Sequence, residues 1–186
     1  VVLAVGGMLL AAGWPQFHGP DRNSVVPGAK LARNWPEGGP KELWKVRMAP
    51  GFGGAAVEDG KVYVLDREGT ARDVLRCLSL ADGSQLWTYA YDAPGKLSSD
   101  GPRSTPTIDE KYLFIVGPFG DFHCLDKATH KVVWQKHLLK DFGGKRPTWG
   151  VAQSAALYKD TVIVMPLGRQ AGVVAMAKDT GEVVWK

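Results

Sequence analysis

One short sequence pattern, a polar turn between two apolar stretches that closes on a tryptophan, occurs three times in this chain. The copies span residues 77–87, 124–134 and 175–185, and they align without a gap. Self-similarity at a period of about 40–50 residues is typical of propellers and solenoids, in which each repeat is one supersecondary unit packed on its neighbours. The repeat therefore constrains the fold more strongly than chain length or composition does.

Each copy extends backward into a matching segment rich in Val, Ile, Tyr and Phe, at residues 54–65, 105–116 and 154–165. These residue types between Gly, Asp and Lys turns favour strands, and no apolar stripe recurs at helical spacing. Each unit therefore predicts four short strands, the last ending at the tryptophan. Four strands per unit of this length predict an all-β fold of propeller blades, with limits at 51–98, 99–148 and 149–186.

The two ends of the chain predict a piece of a larger ring. The sequence begins at Val1 without a methionine, and Lys186 directly follows the tryptophan of the third unit. Since a closed propeller has at least about four blades, three units predict a fragment, truncated at both ends, of a ring of about seven or eight blades.

Residues 1–13 are small and apolar. They resemble the hydrophobic region of a secretory signal peptide whose basic start is missing, and a buried N-terminal strand is the alternative. The segment is shorter than the roughly 20 residues that span a bilayer. The sequence therefore predicts no membrane span and a periplasmic or secreted protein.

Residues 14–50 predict an irregular lead-in followed by a lone outer strand. The lead-in is dense in turn formers, and it is expected to pack over one end of the domain. His18 and Asp21 are conceivable ligands, but the Gly-Pro turn beside them favours local hydrogen bonding. Farther on, Trp44 occupies the position of a closing tryptophan within an alternating apolar and polar stretch. Such a strand completes the last blade of a closed ring; a plain linker strand is the alternative.

The charge distribution argues against a nucleic-acid partner, and the cysteine positions argue against a disulfide or a metal site. The net charge of +4 is small, and the densest basic region, residues 131–146, is interrupted by leucines and Asp141. A nucleic-acid surface needs a contiguous basic face, so this region predicts a solvated blade edge and no nucleic-acid partner. Cys77 and Cys124 occupy the same register in successive units. They predict two buried thiols and neither a disulfide nor a metal site.

The three closing patterns resemble the tryptophan-docking motif of the quinoprotein or PQQ-like β-propeller superfamily, Ala-x-Asp-x-x-Thr-Gly-x-x-x-Trp. The chain is similar to the secreted bacterial PQQ-binding-like repeat proteins, which its opening Trp-Pro-Gln-Phe-His-Gly-Pro stretch also resembles. In the second unit His130 stands in the place of the motif glycine, where a positive φ and some strain are expected. The matched repeat residues have structural roles: Trp44, Trp87, Trp134, Trp185, Gly83 and Gly181.

The resemblance implies two alternative functions. One is a non-catalytic binding propeller, like the lipoprotein of outer-membrane protein assembly, whose ring face or channel binds a protein or a small ligand. The other is a quinoprotein alcohol or sugar dehydrogenase, which holds PQQ and calcium at the ring axis. Nothing in this sequence matches the catalytic carboxylate, the metal ligands or the vicinal disulfide of such enzymes. The binding propeller is therefore favoured, and no catalytic residue is assigned.

The first strand of each blade is expected to line the central channel, and its polar residues are the candidate cofactor or ligand contacts. These are Arg103, Ser104, Gln153 and Ser154. The arginine could pair with a carboxylated cofactor such as PQQ. Trp149 lies in the long connection before the third unit. It could stack on a planar ligand, although filling the gap between two blades is the favoured role.

Overall fold

The computed structural model describes residues 13–26, 28 and 34–186. Residues 1–12, which contain nearly all of the predicted signal segment, lie outside this part. The described chain is almost entirely β, with three four-stranded antiparallel sheets whose strands follow one another in chain order. The predicted class of four-stranded propeller blades is confirmed.

Each sheet lies within the limits predicted for its unit. Blade 1 comprises β1 (Ala56–Glu58), β2 (Lys61–Glu68), β3 (Arg72–Ser79) and β4 (Gln85–Asp92). Blade 2 comprises β5 (Thr107–Ile108), β6 (Tyr112–Val116), β7 (Asp121–Asp126) and β8 (Val132–His137). Blade 3 comprises β9 (Ala156–Tyr158), β10 (Thr161–Val164), β11 (Val174–Ala177) and β12 (Val183–Trp185). We call the edge formed by the three first strands, β1, β5 and β9, the inner edge.

The turn before each fourth strand is built in the same way in all three blades. The pairing of the third and fourth strands shifts register at one equivalent point, between Cys77 and Leu78, between Cys124 and Leu125, and between Ala175 and Met176. In the adjoining turns Gly83, His130 and Gly181 have φ values of 72°, 60° and 70°. Glycine adopts this left-handed conformation freely, whereas a side chain there costs about 1 kcal/mol or more. The expected positive φ at His130 is confirmed.

Trp44 packs on the turn of blade 1. Its indole N–H donates to the Leu80 carbonyl at 2.9 Å, and its ring covers Gly83, where an added Cβ would lie 2.6 Å from the indole. Residues 41–49 form no regular strand around it. The tryptophan therefore makes its contact without the predicted outer strand.

Trp134 makes the same contact two units further along the chain, on the turn of blade 3. Its indole N–H donates to the Lys178 carbonyl of blade 3 at 2.8 Å, and an added Cβ on Gly181 would lie 2.7 Å from the ring. A glycine turn thus provides the flat surface that the tryptophan of the preceding unit covers.

The outer strands do not end at these tryptophans, as the sequence pattern suggested. Trp87 and Trp134 are the third residues of β4 and β8, which continue to Asp92 and His137. Beyond the tryptophan β4 still contacts blade 2, where the Tyr89 hydroxyl lies 2.8 Å from Nδ1 of His123. The repeated pattern therefore marks the contact with the next turn and not the end of the strand.

Two apolar clusters fill the two junctions between the blades. The first joins blades 1 and 2 through residues that include Tyr63, Leu75, Cys77, Ile108 and Leu113. The second joins blades 2 and 3 through residues that include Phe114, Cys124, Trp134, Val162 and Met176. Both cysteines are free and buried, one in each cluster. The prediction of two buried thiols is confirmed.

The connection between blades 2 and 3 contains a short helix, α1 (Leu138–Phe142), that the sequence did not predict. His137 caps its start by accepting a hydrogen bond from the Lys140 N–H, and Gly143 ends it with a φ of 68°. With 5 residues the helix is too short to show an apolar periodicity. Beyond it, Trp149 is 62% exposed. The favoured role of this tryptophan as a plug between two blades is therefore wrong, because a plug would be buried.

Candidate functional site

The lead-in segment, residues 14–23, runs along the inner edge. In blade 1 the backbones of Trp14 and Val57 exchange two hydrogen bonds of 2.7 and 2.9 Å. In blade 2 the Ile108 N–H donates to the Pro15 carbonyl at 2.8 Å. The segment is irregular, as expected. Its backbone bonds pair it with the inner edge of the first two blades.

Arg22 ties the same segment to blade 3. Its Nη2 donates to the Leu157 carbonyl at 2.5 Å, and its Nε donates to Oε1 of Gln16 at 3.1 Å. Nδ1 of His18 lies 2.5 Å from the Ser24 hydroxyl, so the expected local hydrogen bonding of this histidine is confirmed. The lead-in segment therefore forms one wall across the first strands of all three blades.

This wall encloses a cavity of about 380 Å³ against blades 2 and 3, which we call the inner cavity. Its volume lies within the range of small-molecule sites, roughly 300–1,000 Å³. The predicted contacts Arg103, Gln153 and Ser154 line it, whereas Ser104 and Trp149 do not. The other lining residues are Gln16, Phe17, His18, Arg22, Phe52, Gly54, Thr105, Ala152, Ala155, Ala156 and Met165.

The guanidinium of Arg103 is held by main-chain oxygens. It donates to the carbonyls of Gly101 and Ser99, the latter at 2.6 Å, and it lies 5.1 Å from the centre of the Phe52 ring. Partial burial lowers the pKa of Arg103, because the charge is partly removed from water. The side chain reaches the cavity but already has two partners within its own loop.

Two further candidates also bind the main chain. The Gln153 amide pairs with Met165, donating to its carbonyl at 2.9 Å and accepting from its N–H at 2.5 Å. The Ser104 hydroxyl is buried and donates to the Val116 carbonyl of its own blade at 2.5 Å. Ser104 therefore does not face the cavity, in contrast to the prediction.

Ser154 links two blades. Its hydroxyl accepts a hydrogen bond from the Thr105 N–H at 2.9 Å, and next to it the Thr107 hydroxyl donates to the Ala155 carbonyl at 2.8 Å. On the other side of blade 2, the Gly54 N–H donates to the Thr105 hydroxyl at 3.0 Å. These bonds connect the inner edges of blades 1, 2 and 3. All of the polar candidates that sequence reasoning placed in the channel thus have main-chain partners.

Sequence reasoning missed the aromatic residues at the mouth of the inner cavity. Phe17 and Phe52 line it and are 54% and 62% exposed. Neither falls in the segments that match between the units, so no pattern identified them. Other phenylalanines of the chain are buried, so the exposure of these two, which only the structure shows, marks them as candidate ligand contacts.

PQQ with calcium does not fit the inner cavity as these residues build it. Calcium takes six to eight oxygen ligands, several of them carboxylates, and no Asp or Glu is among the lining residues of the described chain. In the described ranges, no three His, Cys, Asp or Glu side chains are close enough to share a metal ion. No quinoprotein mechanism therefore follows from the groups that line this cavity.

A second polar cluster, which the sequence did not reveal, lies between blades 1 and 2. Arg67 and Asp73 form a fully buried ion pair of 2.6 Å, and the Tyr91 hydroxyl donates to the same carboxylate at 3.2 Å. Burial raises the pKa of Asp73 to about 6, although the guanidinium opposes this shift. The Arg67 guanidinium also donates hydrogen bonds to the carbonyls of Ala93 and Gly95. The cluster thus fixes the start of the connection to blade 2.

His123 belongs to the same region. It is 6% exposed, and its Nδ1 lies 2.8 Å from the Tyr89 hydroxyl. Burial lowers its pKa to about 4, so the imidazole is neutral near pH 7. Asp121 lies in the same open cleft of about 490 Å³, and burial raises the pKa of its carboxyl. These residues come from separate units, so only the packing of blades brings them together.

Within the described residues, no helix has both the length and the apolar character needed to cross a bilayer.

The sequence comparisons identify one family and several relatives. A family model described as outer membrane protein assembly factor BamB matches residues 71–186. A quinoprotein ethanol dehydrogenase from Pseudomonas aeruginosa is 32% identical over 102 residues, which are 54% of this chain and 15% of that protein. The chain therefore spans less than a fifth of the length of this relative.

Two solved structures share the fold. BamB from Moraxella catarrhalis superimposes with a TM-score of 0.53 at 19% identity, over 77% of this chain and 41% of that one. Quinohemoprotein alcohol dehydrogenase from Comamonas testosteroni superimposes with a TM-score of 0.63 at 17% identity, over 94% of this chain and 27% of that one. At these identities the likeness establishes the fold alone, and one of the two neighbours is an enzyme while the other is an assembly factor.

Proposed function

Since the chain belongs to the PQQ-like β-propeller repeat family, whose matching model is described as outer membrane protein assembly factor BamB, we propose that it is a binding module. In this proposal its blade face or inner cavity binds a protein or a small ligand, and the chain performs no chemistry itself. The repeated tryptophan contacts act in it as docking motifs that keep the blades rigid.

The use of the polar groups in the inner cavity supports this proposal most directly. Arg103 donates to main-chain carbonyls, Gln153 pairs with the backbone of Met165, and Ser154 joins two blades. A catalytic site requires groups that are free to contact the reacting atoms in a fixed geometry. Here the same groups hold the scaffold together, which suits a rigid binding surface.

The test is a titration of the full-length protein with PQQ in the presence of Ca²⁺. We expect no saturable binding by fluorescence or calorimetry, and no reduction of an artificial electron acceptor with alcohols or aldoses. Stoichiometric binding together with turnover that requires both additions would overturn the proposal. Arg103→Ala is then the first variant to measure, because its guanidinium is the charged group of blade 2 that faces the cavity.

The second candidate is a quinoprotein alcohol or sugar dehydrogenase. Two observations favour it: the 32% identity to a quinoprotein ethanol dehydrogenase, and the arrangement of Arg103 beside the exposed Phe52 ring at the cavity mouth. An aromatic face next to a guanidinium suits a planar, carboxylated cofactor. Calcium ligands would have to come from residues outside the inner cavity.

We also propose a periplasmic or secreted location. The apolar stretch at residues 1–13 and the family description as an outer membrane assembly factor support it. Fractionation of cells that produce the full-length protein tests this directly. Recovery in the cytoplasmic fraction, with the N-terminal stretch still attached, would contradict it.

A further inference from the structure

Two exposed apolar side chains lie on the connection between β10 and β11, where they add little to blade packing. Met165 is 50% exposed and Leu167 is 73% exposed. Leu167 also has a left-handed backbone with a φ of 51°. Such a conformation costs a non-glycine residue about 1–3 kcal/mol, a cost that asparagine or glycine largely avoids. An apolar residue that is both strained and exposed points to a role outside folding.

This connection is held rigidly against helix α1. The Arg169 N–H donates to the Gly143 carbonyl at 3.2 Å, and the Gln170 N–H donates to the Phe142 carbonyl at 3.1 Å. Gly168 approaches so closely that an added Cβ would lie 2.0 Å from the Phe142 carbonyl oxygen. The two exposed side chains are therefore presented on a fixed support, which lowers the entropic cost of binding.

Between the two connections lies a small apolar cavity of about 200 Å³, which we call the loop groove. Its walls are mostly apolar side chains: Leu139, Pro147, Val151, Met165, Pro166 and Leu167. Lys145 is the one charged residue among those that line it in the described chain. The lining residues come from the connection between blades 2 and 3 and from the connection between β10 and β11.

The surroundings of the loop groove are positively charged. The connections that form it carry Lys140, Lys145, Arg146 and Arg169. Lys145 lines the groove, whereas the Arg146 guanidinium lies over the Phe119 ring and donates to the Lys96 carbonyl at 3.5 Å. Their one carboxylate, Asp141, accepts a hydrogen bond from the His137 N–H at 2.8 Å. Among the ion pairs of the described residues, none involves any of these four cations. The groove thus combines an apolar floor with uncompensated positive charge, which matches an apolar side chain flanked by carboxylates.

We propose that the loop groove binds a short acidic segment of a partner protein, with an apolar side chain against Met165 and Leu167 and a carboxylate beside Lys145. The inference rests on the binding function proposed above and names the class of partner. A cavity of about 200 Å³ holds one or two side chains, which suits a peptide anchor. The rigid walls supply shape selectivity, and Lys145, which has no ion-pair partner among the described residues, supplies charge selectivity.

Fluorescence anisotropy with the full-length protein tests the proposal. The probe is a labelled peptide with a leucine–phenylalanine pair between aspartates and glutamates. Two matched peptides replace the apolar pair by serines or the acidic residues by lysines. We expect each matched peptide to bind about tenfold more weakly or worse, because it lacks either the apolar burial or the charge pairing. Equal binding of all three peptides, or binding of none, would overturn the proposal.

The decisive variant is Leu167→Asn, which removes the apolar contact while relieving the backbone strain. Affinity for the acidic peptide should fall about tenfold, while the melting temperature stays the same or rises. Lys145→Glu should weaken binding further and reduce its salt dependence. The control is Leu43→Asn, since Leu43 is 77% exposed and does not line the groove. Unchanged affinity of Leu167→Asn would contradict the proposed contact.

Other occupants have distinct readouts. Binding to anionic lipid vesicles without binding to the peptide, or a dimer in sedimentation that Leu167→Asn dissociates, would overturn the peptide proposal. Its failure is separable from that of the binding function, because PQQ-dependent turnover tests the latter independently. If the peptides do not bind and no turnover is found, the proposal for the loop groove is refuted while the proposed binding function stands.

Discussion

The indole of Trp87 stacks on the imidazole of His130, with ring centroids 4.1 Å apart and planes inclined by 19°. At the equivalent junctions Trp44 and Trp134 cover a glycine and donate their indole N–H to a carbonyl. The N–H of Trp87 is buried and has no partner. Replacement of glycine by His130 therefore exchanges one hydrogen bond for a ring stack.

His130→Gly should stabilise the chain by about 1 kcal/mol. Glycine relieves the strain of a φ of 60°, and it lets the indole sit as it does at the other junctions. These gains exceed the loss of a stack of about 0.5–1.5 kcal/mol. His130→Ala keeps the strain and loses the stack, so it should destabilise. Chemical denaturation of both variants makes the comparison; if glycine costs as much as alanine, stacking dominates the junction.

Trp134→Ala should lower the free energy of unfolding by about 3–5 kcal/mol, the usual cost of truncating a buried tryptophan. Trp134 is 8% exposed, whereas Trp185, at the equivalent position of blade 3, is 48% exposed in this chain. Trp185→Ala in the same 186-residue chain is therefore the matched control and should cost far less. Thermal and urea unfolding provide the measurement, and similar losses at the two sites would show that burial at the junction is not the cause.

Arg67→Met should destabilise by about 3–5 kcal/mol, because it leaves the Asp73 carboxylate buried without its cation. Asp73→Asn in the same background removes that charge while keeping an acceptor for the Tyr91 hydroxyl, so the double variant should recover part of the loss. The carbonyls of Ala93 and Gly95 stay unpaired and limit the recovery. A double-mutant cycle measures the coupling, and strictly additive losses would contradict it.

His123 should make the chain less stable in acid. Its pKa is lowered from 6.5 to about 4, so the unfolded state takes up a proton first as the pH falls. Stability is then lost between about pH 6.5 and 4, by at most about 3 kcal/mol. The variant His123→Phe removes this contribution. Denaturation across the pH range should show a smaller decline for it than for the unaltered chain.

Asp73 changes the pH dependence of stability in the opposite direction from His123, and its contribution is the same in both proteins of that experiment. Its pKa is raised to about 6, so the folded state holds the proton more tightly, and stability rises as the pH falls through about 6 to 4. The difference between the two curves isolates His123, because both proteins retain Asp73. Parallel curves would show that His123 does not titrate differently on folding.

Sequence reasoning reached the fold because the information it used is local and repeated. The turns at Gly83, His130 and Gly181 follow from one pattern, and so does the positive φ that each adopts. The same reasoning was less accurate for side-chain direction in the segments that lead into β5 and β9. Ser104 turns into its own blade, and Ser154 bonds to Thr105 of the preceding blade. Adjacent residues of an extended segment point to opposite sides, so a shift of one position decides which hydroxyl meets the cavity.

By itself the sequence determined that the chain forms four-stranded blades, where their turns lie, and which tryptophans recur, because short-range pairing and turn conformation depend on nearby residues. Only the tertiary structure decided that the lead-in segment crosses three blades, that Trp149 is exposed, and that Met165 and Leu167 meet helix α1 at one groove. These contacts join residues outside the repeat or far apart in the chain. They depend on how whole blades stack, and the free energy of that stacking is not contained in any single segment.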